Sequence, residues 1–311
     1  MHIPELRPSP LPLVVACDRS PVPRPRRDVR LIAVRRGIHA DAAEWARLQP
    51  WERYLARVHA LALARPQSVF ARESAAALLG LPVFGEPRRI HLHDPEGTVS
   101  TTFGDVVVHT SRDERGVLEA SGLRLLSAED TIVDLARSLP PAFGLAVTDA
   151  AVARSASVTD LVHRNDGRVD RRGRRRAAWV LARTDGRAES VGESVSRAVI
   201  EWLGFAAPVL QHEFAAEGFR DRTDFWWPEV RVVGESDGWG KYGLGDAAAS
   251  RLALATEKRR EDRLRRQVRG FARWEWRDAM RAEPLGSILR AAGVPVVRRP
   301  DHAMLATLRR A

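Results

Sequence analysis

The chain has a single cysteine in 311 residues, Cys17. That count excludes an internal disulfide and any zinc site built on a cysteine cluster, and it suits a reducing compartment. No apolar run approaches the roughly 18 residues of a membrane span. The opening MHIPELRPSPLPLVV lacks a basic segment ahead of an apolar core. Neither membrane insertion nor a signal peptide is expected, so the expected location is cytoplasmic. No internal repeat of solenoid period is visible.

What the chain has in quantity is positive charge, with 50 Lys and Arg against 40 Asp and Glu and a formal net charge of +10. The basic residues are overwhelmingly arginine, whose planar guanidinium grips phosphate as a fork, so a polyanionic partner is favoured. A high-GC genome would produce the same bias with no function attached. Hydrophobic residues at 44% and charged residues at 29% describe a soluble globular balance, and the length suits two domains.

Residues 1–28 are rich in proline and read as an irregular lead-in. VRLIAVRRGIH then predicts a strand and turn, WERYLARVHALALA an amphipathic helix, and RESAAALLGLP a second helix closed by Gly80 and Pro82. RRIHLH and DVVVHT read as strands, and SAEDTIVDLARSLP as a helix opened by Ser127 and Asp130 in a near capping box. His91 and His93 share a strand face. Without a third ligand at a recognisable spacing they read as polar residues on a solvated face rather than as a metal pair. Six arginines fall between Arg168 and Arg176, a connector first and a phosphate-tracking surface second. The predicted organisation is a lead-in at 1–28, a small α+β domain at 29–160, a basic linker or helix at 161–187, and a second domain at 188–311.

In the second domain SVSRAVIEWLG predicts a helix, PVLQHEFAA, RTDFWWP and VRVVGESDG three meandering strands, RLALATEKRREDRLRRQV a long charged helix, and FARWEW a returning strand. A final helical region and a PVVRRP strand follow. This is an α/β core with a mixed sheet. Alternation sends Glu235 and Asp237 to one strand face, and the hairpin WPEVR brings Asp224 beside them. Glu193, near the start of the preceding helix, can add a fourth acid. Adjacent carboxylates repel and call for a cation, a shared proton or bulk water. A divalent metal held by oxygen alone would be Mg²⁺ or Mn²⁺ rather than zinc, with Asp224, Glu235 and Asp237 as its ligands. Lys241, beyond Gly238 and Gly240, can fold back toward the metal to orient the nucleophilic water or stabilise a pentacovalent phosphate. Lys258, Arg259, Arg263 and Arg266 offer the long helix to backbone phosphates. Taken singly, each residue also has a plain reading as a turn cap, a solvated acid or a surface charge.

The spacing D-x10-E-x-D with a helix glutamate upstream resembles the PD-(D/E)XK nuclease superfamily. More narrowly, DFWWPEVRVVGESDGWGKY with EKRREDRLRRQVRGFARWEW is similar to very-short-patch-repair-like endonuclease domains, over about residues 187–280. The resemblance implies a restriction-endonuclease-like fold and Mg²⁺-dependent cleavage of DNA, with Asp224 and Glu235 as metal ligands and Glu193 as the helix acid. The superfamily's E-x-K places lysine where this chain has Asp237. Either Lys241 or Lys258 takes that role, or the site binds metal without cutting. The N-terminal segments VRRGIH, ESAAALLGLP and SAEDTIVDLARSLP resemble AbiEi-type antitoxins of type IV toxin–antitoxin systems. Two functions follow as expectations: a metal-dependent endonuclease in phage defence or repair, or a DNA-binding antitoxin-type regulator, with a toxin or regulatory protein as partner, whose nuclease-like fold only grips DNA.

Overall fold

The computed structural model describes residues 5–16, 30–237 and 247–310. The chain divides into two compact units. Unit 1 takes the described residues up to Ser138 together with Ser157–Ala178, and unit 2 takes Leu139–Ala156 with Trp179 onward. The architecture is mixed α/β, and the described residues form twelve α-helices and three sheets. Among them no helix is long and apolar enough to cross a membrane.

Unit 1 opens with β1 (Val14–Val15), β2 (Leu31–Arg35) and β3 (Ile38–Asp41), an antiparallel sheet in the order β1-β3-β2. Residues 5–16, read from sequence as part of an irregular lead-in, are packed: Leu6 and Leu11 are buried, and Arg7 donates its N–H to the Leu78 carbonyl at 2.7 Å. After α1 (Ala42–Arg47), helix α2 (Pro50–Ala64) starts on proline, where a missing N–H costs nothing, with Gln49 and Glu52 closing a capping box. There follow β4 (Val69–Phe70), α3 (Arg72–Leu78), β5 (Ile90–His93), β6 (Thr101–Phe103), β7 (Val106–His109), β8 (Val117–Ala120), β9 (Leu123–Leu126) and α4 (Ala128–Ser138). The six strands form one mixed sheet in the order β6-β7-β5-β4-β9-β8. Tyr54, Leu61, Phe70, Leu78, Ile90 and Leu125 make its core.

The histidines do not lie on a solvated face. β5 sits between β4 and β7, His93 is buried, and His91 Nδ1 meets His109 Nε2 at 2.8 Å with the rings stacked. Helix α5 (Pro141–Val152) belongs to unit 2, and the chain returns to unit 1 for α6 (Val158–Gly167) and the start of α7 (Arg174–Leu181). The arginine-rich stretch is therefore folded, and several of its arginines are tied down. Arg174 pairs with Asp166 at 3.1 Å, and Arg176 donates to the carbonyls of Arg137 and Ser138.

Unit 2 continues with α8 (Val191–Trp202), β10 (Val209–Ala216), β11 (Phe219–Trp227), β12 (Val232–Asp237), α9 (Ala247–Gln267), β13 (Gly270–Glu275), α10 (Trp276–Arg281), α11 (Glu283–Ala292) and α12 (His302–Leu305). Its sheet runs β10-β11-β12-β13, the first three antiparallel and β13 parallel to β12, as the meander, helix and returning strand predict. The expected PVVRRP strand is reduced to one bridge, Phe205 to Val296, because Pro295 and Pro300 remove ladder donors at either end. Phe214, Trp226 and Val233 pack with Leu264 of α9, with Phe271 and Val268 beside them. Phe225, Trp227 and Trp274 form a second aromatic group, and Trp274 Nε1 donates to Ser196 Oγ of α8 at 2.8 Å. Gly234 makes that group possible, since a Cβ there would stand 2.8 Å from Trp274 and 3.0 Å from Trp227.

Candidate active site

Strand register places Asp224 and Glu235 as neighbours in the unit 2 sheet, and Asp237 follows on the same face of β12. The β11–β12 ladder ends at Phe225↔Gly234, so Asp224 stands opposite Glu235 one residue further on. On the other side of β11, the pairs Leu210↔Phe225 and His212↔Thr223 leave Gln211 opposite Asp224, with Gln211 in the left-handed region at φ 53. A glutamine there is uncommon, and such backbone is concentrated where surrounding structure over-determines it.

Hydrogen bonds fix these residues in two pairs. Asp224 Oδ2 accepts from the Ser236 N–H at 2.8 Å, and Gln211 Nε2 donates to Glu193 Oε2 at 2.8 Å. Ser190 caps α8 by accepting from the Glu193 N–H at 3.1 Å, and Glu193 Oε2 also accepts from the Glu189 N–H at 3.0 Å. Glu193 thus closes the start of its helix and faces Gln211 at once. Gly192 brings that helix start against Ser236, whose Oγ is 3.1 Å from where a Cβ would be.

Glu235 is buried, and Arg260 of α9 donates to its Oε2 at 3.1 Å. Its Oε1 is buried with no hydrogen-bond partner among the described residues. Burial pushes this carboxyl above the ordinary glutamate range, more than Arg260 pulls it down. Asp237 is half-exposed, with Arg273 of β13 at 3.6 Å. Glu257 joins the two arginines, pairing with Arg260 at 3.1 Å and with Arg273 at 3.3 Å, and Glu261 adds a contact to Arg273 at 3.2 Å. Among the described residues, the cations that answer the adjacent acids are these two arginines.

Of the remaining predicted residues, Lys241 lies outside the described residues with Gly238 and Gly240. Lys258, the chain's other lysine, is exposed on α9, as is Arg259. Arg263 is committed to the β10–β11 hairpin, bidentate on Asp221 at 2.8 and 2.7 Å and 4.2 Å over the Phe219 ring. Arg266 forks onto Glu217 at 2.7 to 2.9 Å. Gln211, Ser236, Arg260, Arg273 and Glu257 escaped the sequence reading. Arg260 sits in a run, KRREDRLRR, where nothing singles out one arginine, and only the Glu257/Arg260 spacing hinted at a pair.

No family model matches the chain. The uncharacterized proteins MT2308 and Rv2248 of two Mycobacterium tuberculosis strains are each 32% identical to it over 166 residues, covering 52% of this chain. The chain spans about 59% of the length of these curated relatives. No solved structure matches it.

Proposed function

We propose that unit 2 is a restriction-endonuclease-like domain of PD-(D/E)XK type that hydrolyses DNA phosphodiesters with Mg²⁺ or Mn²⁺. The observation that carries this reading is the buried, unpartnered Oε1 of Glu235. A carboxylate oxygen removed from water without a partner costs free energy, and a cation ligated there would recover it. Mg²⁺ binds through one or two carboxylates and keeps several waters for itself and for phosphate oxygens. Asp224 and Glu235 meet that requirement, although among the described residues no three acid, cysteine or histidine side chains group as a metal cage.

Asp224 and Glu235 would hold the ion, and when bound it would lower the pKa of a water and neutralise charge on the phosphodiester. Glu193, fixed by Ser190 and Gln211, positions the start of α8 beside Ser236. Lys258 and Arg259 are exposed for backbone phosphates, and Lys241 or Lys258 is the candidate lysine. Unit 1 would serve as the AbiEi-like DNA- or partner-binding module of a cytoplasmic protein. The second reading, a regulator that grips DNA without cutting, draws on Asp237 in the motif lysine's place and on Arg260 and Arg273 covering the acids.

Supercoiled, linear and mismatched DNA incubated with the protein and Mg²⁺, Mn²⁺ or EDTA tests the two. Metal-dependent breaks, absent with EDTA, are the expected result. DNA that is bound but intact under every metal would favour the regulator.

A further inference from the structure

Glu235 has two claimants. Its Oε1 is free and buried, yet its Oε2 is already held by Arg260, so a divalent ion placed on this carboxylate meets a guanidinium on the same group. Two cations sharing one carboxylate in a half-dry site repel, because the interaction is only weakly screened there. Each weakens the other's hold on Glu235, and the departure of one strengthens the other.

Arg260 is built to withdraw. It stands on α9 with a side chain 21% exposed, and it spreads its donors over Glu235, both oxygens of Glu257, and the Arg222 carbonyl. Glu257 is not abandoned when it leaves, since Arg273 also contacts it, at 3.3 Å. A backbone phosphate is the partner that a planar fork of this kind fits best. Arriving at the strand ends, it would take Arg260 and at the same time offer its own oxygens to the incoming metal.

We propose that Arg260 is a substrate-responsive positioning residue: it shares Glu235 in the free protein and passes to a DNA phosphate on binding, which strengthens the hold of Glu235 on the divalent ion. This rests on the metal-site reading above. It makes DNA and metal binding mutually reinforcing, and linkage requires that each strengthen the other by the same factor. The arrangement also gives the chain a reason to place an arginine on the acid whose free oxygen would ligate metal.

The test is a calorimetric titration of Mn²⁺ into wild type, R260Q and R260K, each with and without a 20-base-pair duplex, with the log K against log salt slope for the duplex measured alongside. Without DNA, R260Q should bind Mn²⁺ about tenfold or more tightly than wild type, and R260K should fall between them. The duplex should tighten Mn²⁺ binding about tenfold in wild type and much less in R260Q. The salt slope should flatten by about 0.9 in R260Q, one phosphate contact. R260K keeps the charge and guards against an unfolded variant, and each protein's melting curve accompanies the titration. Equal Mn²⁺ affinity in wild type and R260Q without DNA, with both proteins folded and binding metal, would overturn the exchange while leaving the metal site standing. No Mn²⁺ binding by any of the three, with or without duplex, would overturn the metal-site reading and the exchange with it.

Discussion

Both units set arginines against acids, and they finish the task differently. In unit 1, Asp130 and Asp134 of α4 meet Arg115, Arg164 and Arg168. Asp130 Oδ1 takes Arg168 at 3.0 Å, its Oδ2 takes Arg164 at 3.0 Å and the Gly116 N–H at 2.9 Å, and Asp134 is bonded to both Arg115 and Arg168. Every carboxylate oxygen there has a donor. In unit 2, among the described residues, Glu235 keeps one buried oxygen without a donor, and Asp237 has Arg273 at 3.6 Å as its cation. The titration directions follow. Burial raises the Asp134 carboxyl, but Arg115 and Arg168 outweigh it and hold the group below the usual range, whereas burial of Glu235 wins over Arg260. A network whose carboxylate oxygens are all satisfied, while Nε of Arg115 and of Arg168 are buried without a hydrogen-bond partner among the described residues, ties α4 to α6 and to the segment before β8. A buried carboxylate oxygen without a donor can take a ligand; Glu73 of α3 also has one, with His91 at 3.5 Å beside it, so the contrast is between these two networks rather than between the units as wholes.

The largest effect should come from breaking the Asp130 network. Asp130→Ala leaves three guanidiniums short of a partner, two of them nearly buried, and removing one side of a buried ionic group costs about 3–5 kcal/mol. Denaturant unfolding should show that loss, and hydrogen exchange should place it in α4 and α6 rather than in the unit 2 sheet. A change below about 1 kcal/mol would mean that the network is ornamental to stability.

Next in size is Gly234→Ala, which probes where unit 2 does depend on close packing. A Cβ 2.8 Å from Trp274 forces the indole aside, at about 1–3 kcal/mol, with a red-shifted tryptophan emission. Unchanged stability and emission would show that the aromatic group has room to spare.

A smaller effect belongs to unit 1 and acid pH. Burial, then Arg72, lowers the His109 imidazole from the ordinary value of 6.5 to about 3, and His91 is lowered as well, chiefly by burial. The folded state therefore binds fewer protons than the unfolded chain between those values, so the contribution is whole above about 6.5 and is lost as pH falls toward 3. Partial exposure keeps the slope below the roughly 1.4 kcal/mol per pH unit of one fully shielded proton. His109→Gln should reduce that slope in pH-dependent unfolding. An identical slope would assign the acid sensitivity to other groups.

Much of unit 2 was legible because its pattern is local. The Val and Trp alternation announces β10 to β12, the charged run announces α9, and the pleat alone puts Glu235 and Asp237 on one strand two residues apart. What was not legible depends on contacts far apart in sequence. α5 joins unit 2 through Asp149, which pairs with Arg197 at 2.7 Å and accepts from the Asp185 N–H at 2.8 Å, and no periodicity encodes that exchange. Gln211 at φ 53 carries no turn signature, since glycine, asparagine and aspartate are the residues that advertise such backbone. The histidine pair was misjudged because β5 looks like a half-exposed strand until β4 and β7 are known to flank it.

The most direct measurement pairs two readouts on one substitution, Glu235→Gln: the single-turnover cleavage rate of DNA with Mg²⁺ or Mn²⁺, and the unfolding free energy. If the Glu235 network is a metal-dependent nuclease site, the rate falls by about 10²-fold or more, the size of one lost transition-state contact, while stability stays within about 1 kcal/mol of wild type. A variant that cuts as fast as wild type, or one that loses several kcal/mol of stability as Asp130→Ala is expected to, would contradict the account.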